Sequence, residues 1–423
     1  MTAMGWACQA ACGWWAGMAL VIRRHVAGLR SLGDEAAPEP AAWPRLSVLV
    51  PACNEADTLE PALETLLRSD YPDLEVILVD DRSTDGTGAV VDRLAARDAR
   101  IVPVHVAALP PGWLGKVHAL AEGRRRATGI WLLFTDADVH VAPGSLRRAV
   151  ACAIAGSLDH LALLPEIPRR GVWRDAAIAT FAAMGLFLGD PGKVGRPRGR
   201  HFMGIGAFNL VRSAALDATE GLGWLRMEVI DDFGLAWLLV RSGARSGLRA
   251  GFGEIAVDWY PTLGALVRGL EKNAFAAVRY SYALATAAIV AQVSVVAGWA
   301  AAPWALPPPW GWVAAGGALG AYVWLVGGAF RAFGAPWLIH TLTPAGALIH
   351  CWIMARSAFL CRRRGGIVWR GTRYPLAELR DMDPPVPVIL LGTAPVRELR
   401  LQARRLGAFA VIEKPVNPEL LVE

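Results

Sequence analysis

The sequence predicts an α/β domain with a mostly parallel sheet, helices on both faces, and apolar helices of membrane-spanning length at either end. Three observations carry that expectation. Between residues 46 and 138 short apolar runs alternate with helical stretches, and runs such as "SVLVPA" and "EVILVDD" are unbroken rather than alternating. Unbroken runs mark strands buried on both faces, as crossover helices bury them in a parallel sheet. Residues 5–22, 283–302 and 311–330 carry no charge and approach the ~20 residues that cross a bilayer. Charged residues make up only 19% of the chain against 54% hydrophobic, with eighteen tryptophans. Soluble domains carry about 25% charge, and tryptophan favours membrane–water interfaces.

Taken in order, residues 1–25 read as an N-terminal membrane anchor. Arg23 and Arg24 at its end predict a cytoplasmic exit. Residues 26–45, rich in Ala and Pro, read as a linker. Strands follow at 47–52, 75–81, 101–106 and 130–138, with helices at 57–68, 86–96 and 116–127 between them. Residues 173–190 form an apolar helix, uncharged from 176 to 189 and too short to span. It suits either a membrane surface facing a lipid or a plain core. Residues 263–282 read as an interfacial amphipathic helix, with Arg268, Glu271, Lys272 and Arg279 on one side. Residues 283–365 hold the C-terminal membrane helices, with a tight turn at "PPPW". The segment 337–360 includes His340, Pro344, His350 and Arg356. A full crossing there would put the basic "RRR" at 362–364 outside, so a re-entrant or interfacial element is expected. Residues 366–385 then form a basic cytoplasmic segment.

The net charge of +6 comes with basic runs beside apolar ones, "VIRRH" and "CRRRGG". That placement suits anionic headgroups rather than nucleic acid. The six cysteines show no CxxC spacing and read as free thiols in a reducing compartment.

Chemistry is expected where carboxylates meet strand ends, since parallel sheets bind ligands at the carboxyl ends of their strands. Asp80 and Asp81 close one apolar run, Asp136 and Asp138 another, and Asp231 and Asp232 open the segment "FGLAWLLV". If 130–138 is all strand, Asp136 and Asp138 point the same way. Two carboxylates on one side repel unless a cation joins them. Mg²⁺ or Mn²⁺ shared with a diphosphate relieves that repulsion and stabilises the diphosphate as a leaving group. Strand-end residues capping the next helix are the plainer explanation.

The order "VPACNEAD", "VDDRSTDGT", "GKVHAL", "TDAD", "GIGAFNLVR" and "EVIDD" resembles the inverting glycosyltransferases of family 2, of GT-A fold, over about 46–280. The resemblance implies a catalytic domain at 46–262. It implies Glu55 against the uridine and Asp81 against the base or ribose. Lys116 would meet phosphate, or be a solvent-facing helix residue. Asp136 would meet sugar or ribose, Asp138 the metal, and Asp232 would be the general base, or else a simple N-cap. In a further reading Asp231 caps while Asp232 points inward. The layout is similar to ceramide glucosyltransferase-like and hopanoid-associated members, and "WRGTRYPL" strengthens that likeness. Transfer of a hexose from a UDP-sugar to a lipid hydroxyl follows as the expectation, in a multi-pass inner-membrane protein whose catalytic domain faces the cytoplasm. A polysaccharide synthase or a catalytically silent sugar-nucleotide-binding protein are the alternatives. Family members often carry Q/R-x-x-R-W on a helix beneath the site. Here "VRGLEKNAF" has no Trp at that place, which counts against processive synthesis. Residues 386–423 resemble the last part of a response-regulator receiver, with Thr393 and Lys414 at its switch positions and the phosphoacceptor half absent.

Overall fold

The computed structural model describes residues 2–194, 201–330, 337–380, 390–391 and 411–412. A long helix α1 (Ala3–Ala27) opens the chain, its first turn capped by Thr2. The strands β1 (Leu46–Ala52), β2 (Leu74–Asp81), β3 (Ile101–Val106) and β4 (Trp131–Phe134) alternate with α2 (Leu59–Leu67), α3 (Thr87–Arg97) and α4 (Gly115–Arg126). β5 (Val139–Val141), α5 (Ser145–Ala155), β6 (His160–Glu166) and α6 (Val172–Gly189) follow. Then come β7 (Asn209–Arg212), α7 (Ser213–Asp217), α8 (Asp231–Arg241) and β8 (Ser246–Val257). The eight strands form one sheet in the order β3-β2-β1-β4-β7-β6-β8-β5. β1 pairs in parallel with β2 and β4, and β2 with β3. β7 runs antiparallel to both its neighbours.

The expected strands hold because their side chains have no solvent to face. Val48, Leu49, Val76, Ile77 and Leu78 are fully buried between the two helical layers. Each such burial stabilises by roughly 1.5–3 kcal/mol. One expected strand is shorter than read: β4 ends at Phe134, so the "DAD" tripeptide is a turn and strand alternation does not orient it. The stretch 26–45 is no free linker. Leu32 is buried, Ser31 bridges to Ala250, and Glu35 pairs with Arg249 at 2.6 Å.

α9 (Leu263–Ala277) is followed by α10 (Tyr282–Ala305), α11 (Trp310–Phe330) and α12 (Thr343–Arg364). Among the described residues, four helical segments are long and apolar enough, by length and composition, to cross a membrane: Val172–Gly189, Tyr282–Ala305, Trp310–Phe330 and Trp337–Arg364. The first corrects the expectation that α6 is too short. α1 packs among them, with Ala11 against Gly298 and Trp15 edge-on to Tyr322. These helices expose large apolar side chains on their outer faces, among them Trp6, Val290, Trp304, Trp324 and Trp352.

The last segment, expected as a re-entrant or interfacial element, is long and apolar enough by length and composition to cross a membrane. α11 ends at Phe330, beside the cavity at the carboxyl ends of the first strands. Residues Trp337–Leu342 run back down alongside it, with His340 against Phe330 and Trp337 against Gly327. α12 then climbs past α6, where Gly346 abuts Thr180 and His350 Nε2 donates to the Ala177 carbonyl at 2.8 Å. It ends at the catalytic domain, where Cys361 joins the core and Arg364 meets Glu271. The basic run therefore lies on the catalytic-domain side.

Residues 366–380 fold back onto the sheet. β9 (Gly366–Trp369) and β10 (Thr372–Pro375) make a hairpin, followed by α13 (Leu376–Arg380). In the tail, Leu390–Leu391 and Val411–Ile412 pair in parallel. Thr393 and Lys414 lie outside the described residues.

Candidate active site

The carboxyl ends of β1, β2 and β4 and the first turns of α4 and α8 converge on one cavity of about 1670 Å³. All six residues singled out in the sequence, Glu55, Asp81, Lys116, Asp136, Asp138 and Asp232, line it. Lys116 is the centre. Its Nζ lies 2.8 Å from Asp136 and 3.2 Å from Asp231. It is the second residue of α4, so it stands at a helix start, where backbone N–H groups and dipole also favour an anion.

Asp136 and Asp138 reach the same cavity through a turn, with Ala137 packed into the core between them. Neither Asp231 nor Asp232 serves as the N-cap of α8; that place falls to Ile230. Both lie in the first turn, where the helix dipole favours acids. Asp231 turns to Lys116. Asp232 accepts from the Gly206 N–H at 2.8 Å and from the Phe233 N–H at 2.8 Å. Gly206 must be glycine here: a Cβ would stand 2.9 Å from an Asp136 oxygen.

The charges are frustrated in an informative way. Burial works against the Lys116 ammonium, yet Asp136, Asp231 and Asp232 together outweigh it and hold its pKa above the ordinary range. Burial, then Asp136 and Glu55, lift Asp138 to about 7. Burial and then Asp231 raise Asp232. Glu228 is raised to about 7 by burial and then by the same two aspartates. Burial, then Lys116, lowers Lys272 to about 7. Tyr260 is raised to about 12 by burial, then by Asp136 and Asp138, which places its ring beside them.

Among the described residues no group of three or more His, Cys, Asp or Glu is placed to hold an ion. A sugar-nucleotide site does not require one, because Mg²⁺-type ions take one or two carboxylates and complete their shell with phosphate and water. Asp138, crowded by like charge and lifted in pKa, fits that single-carboxylate role.

Several site residues escaped the sequence reading. Arg82 grips Asp81 with both ends of its guanidinium, at 2.7 and 3.0 Å. The hairpin β9–β10, expected as a basic cytoplasmic segment, closes over the cavity. Arg370 meets Glu55 at 2.5 Å, Thr372 faces Arg82 at 3.4 Å, and the Tyr374 hydroxyl accepts from the Gly115 N–H at 3.1 Å. The polar face of α9 also turns inward. Arg268 and Lys272 line the cavity, and Lys272 Nζ sits 3.4 Å from the centre of the Trp369 ring. The run "IVWRGTRY" carried a usable signal: two β-rich triplets around Arg-Gly read as a two-residue hairpin.

A mostly parallel sheet of this order, with an acid-and-lysine cluster at the carboxyl ends of its first strands, defines a sugar-nucleotide transferase domain of GT-A type. Residues 47–174 match the family model described as glycosyl transferase family 2. The mannosyltransferase PcManGT from Pyrobaculum calidifontis, solved with GDP-Man and Mn²⁺, shares the fold at a TM-score of 0.50 and 20% identity, over 82% of this chain and 98% of that one. A GalNAc(5)-diNAcBac-PP-undecaprenol beta-1,3-glucosyltransferase of Campylobacter jejuni is 35% identical over 113 residues, 27% of this chain and 36% of its own. A beta-monoglucosyldiacylglycerol synthase of Synechocystis is 30% identical over 200 residues, 46% of this chain and 40% of its own. The chain thus spans well under half the length of these curated relatives.

Proposed function

We propose that this protein is an inverting, membrane-embedded glycosyltransferase that moves a hexose from a UDP-type sugar nucleotide to the hydroxyl of a lipid. The observation that carries the reading is the continuity of the cavity. It runs from Lys116, Asp138 and Asp232 past Ile178 and Phe181 of α6 to Val21 of α1 and Phe330 of α11. One end is polar and charged; the other is walled by the apolar helices. At about 1670 Å³ it exceeds the roughly 300–1,000 Å³ of ordinary single-ligand sites, and so has room for a donor and part of an acceptor. The names of two relatives, a GalNAc(5)-diNAcBac-PP-undecaprenol glucosyltransferase and a beta-monoglucosyldiacylglycerol synthase, support a lipid or lipid-linked acceptor.

In this reading Asp81 and Glu55 hold the nucleoside, and Lys116 meets the diphosphate with the amides of the α4 start. Asp138 holds Mg²⁺ or Mn²⁺, which when bound supplies charge neutralisation to the departing diphosphate. Asp231 is engaged by Lys116, so Asp232 is the carboxylate left to take the acceptor proton. Its raised pKa suits it to the task, because a base works best near the operating pH. Asp136, paired with Lys116, faces the sugar.

Membranes containing the protein, incubated with radiolabelled UDP-hexoses and extracted into organic solvent, test the proposal. Label is expected in the lipid phase in the presence of Mg²⁺ or Mn²⁺. Label confined to water-soluble products sinks the lipid acceptor.

A further inference from the structure

The tip of the β9–β10 hairpin presents an oddity. Trp369 pairs with Thr372, so Arg370 and Gly371 are the two turn residues. Both have positive φ, 47° and 78°. A two-residue turn of this type favours Asn-Gly, because φ above zero is costly for a side chain with a Cβ. Here an arginine takes the place where asparagine would be the comfortable residue. Strain of this sort persists where the surroundings use it.

What Arg370 does with the position is visible. One arm of its guanidinium donates to the Cys53 carbonyl, just past the end of β1, and another pairs with Glu55. The side chain is still 42% exposed and lines the catalytic cavity. The other hairpin contacts fall on the remaining walls of the same pocket: Thr372 on Arg82, which grips Asp81, and Tyr374 on the Gly115 N–H, at the start of the helix bearing Lys116. The hairpin therefore touches all three loops that would surround a nucleoside diphosphate, and places a planar fork of N–H donors among them. An arginine fork suits phosphate oxygens in two-point contact.

We infer that Arg370 is a donor-binding residue: the hairpin tip carries its guanidinium to the diphosphate of the sugar nucleotide, and the Cys53 carbonyl and Glu55 hold it beside the nucleoside end of that site. This rests on the donor reading above and adds a residue more than 230 positions beyond Lys116 to that site. Tyr374 acts as a positioning residue, holding the hairpin against the start of α4.

The turn itself provides the test. Arg370→Asn removes the charge but installs the residue the turn prefers, so the hairpin should fold at least as well. Full-length protein in detergent is titrated with UDP and Mn²⁺. Arg370→Asn is expected to raise the UDP Kd about tenfold or more with no fall in melting temperature. Arg370→Lys, which keeps the charge and loses the fork, should fall between. Arg373→Gln, on the same hairpin and outside the cavity lining, should bind as the wild type. In the wild type, UDP with Mn²⁺ should slow amide exchange over residues 366–375. Wild-type UDP affinity in Arg370→Asn, or exchange at 366–375 unchanged by bound UDP, overturns the inference and leaves the sugar-nucleotide reading standing. A wild type that binds neither UDP nor GDP removes both.

Discussion

The two halves of the sheet are built differently. On one side of β4 lie β1, β2 and β3, all parallel and contiguous in sequence within residues 46–106, and their ends bring Glu55 and Asp81 to the cavity. On the other side β7 runs against both neighbours, and β5, β6 and β8 interleave with helices drawn from 172–364. The first half is a nucleotide platform made of local crossovers. The second half is assembled from distant pieces: α6, α8, α9 and the hairpin meet only because the chain leaves for the apolar bundle and comes back. On the proposed reading the compact half binds the nucleoside, with Arg370 of the hairpin closing over the diphosphate, while choice of acceptor and the proton transfer reside in the other half.

Separating binding from turnover tests that division most severely. Asp232→Asn, in the second half, should lower kcat by about 10²–10⁴ while UDP binding stays close to wild type, measured by titration beside a transfer assay. Loss of binding in parallel with turnover would erase the boundary. Asp138→Asn, at the seam, should weaken Mn²⁺-dependent UDP binding by about 10–100-fold, and chelation with EDTA should mimic it in the wild type. The comparison of affinities with and without the ion is the measurement.

The pH dependence sharpens the same point. A base must be ionised to accept a proton, and Asp232 has its pKa raised by burial and by Asp231. Transfer should therefore fall as pH drops, beginning above the ordinary carboxylate range, by on the order of tenfold per pH unit once the group is protonated. Single-turnover rates across pH 5–8 would show it; a flat profile would point to another base. The smallest effect is expected from Glu271→Gln. Glu271 ties α9 to α12 through Arg356 and Arg364, partly exposed ion pairs. Its loss should cost about 1 kcal/mol or less and leave UDP affinity unchanged.

The same contrast explains what the sequence disclosed. β1, β2 and β3 were readable within a residue or two because unbroken apolar runs have one physical explanation, burial on both faces. Glu55, Asp81, Lys116, Asp136, Asp138 and Asp232 stand at or just past element ends in motifs that resemble family 2, and the structure brings all six to one cavity. The turn at 135–138 was misread as strand, since its alternating Asp and Ala obey the pattern of either. Asp231 was assigned a possible capping role, because the lysine that claims it is 115 residues away. Arg370 was missed for the same reason on a larger scale, its partner Glu55 lying 315 residues earlier. Local periodicity carries no information about such closures. The inward turn of the α9 charges was equally hidden, since an amphipathic helix looks alike whether its polar side meets headgroups or a cavity.

The return of Trp337–Arg364 to the catalytic domain has a consequence for where product ends up. α1 ends, α10 begins, α11 ends and α12 ends all beside the catalytic domain. On the proposed reading the enzyme takes the sugar nucleotide from the water on the catalytic-domain side, takes the lipid from the adjacent leaflet, and releases the glycolipid into that same leaflet. Such an arrangement builds lipid asymmetry rather than transport, and any appearance of the sugar on the opposite surface would call for a separate flippase.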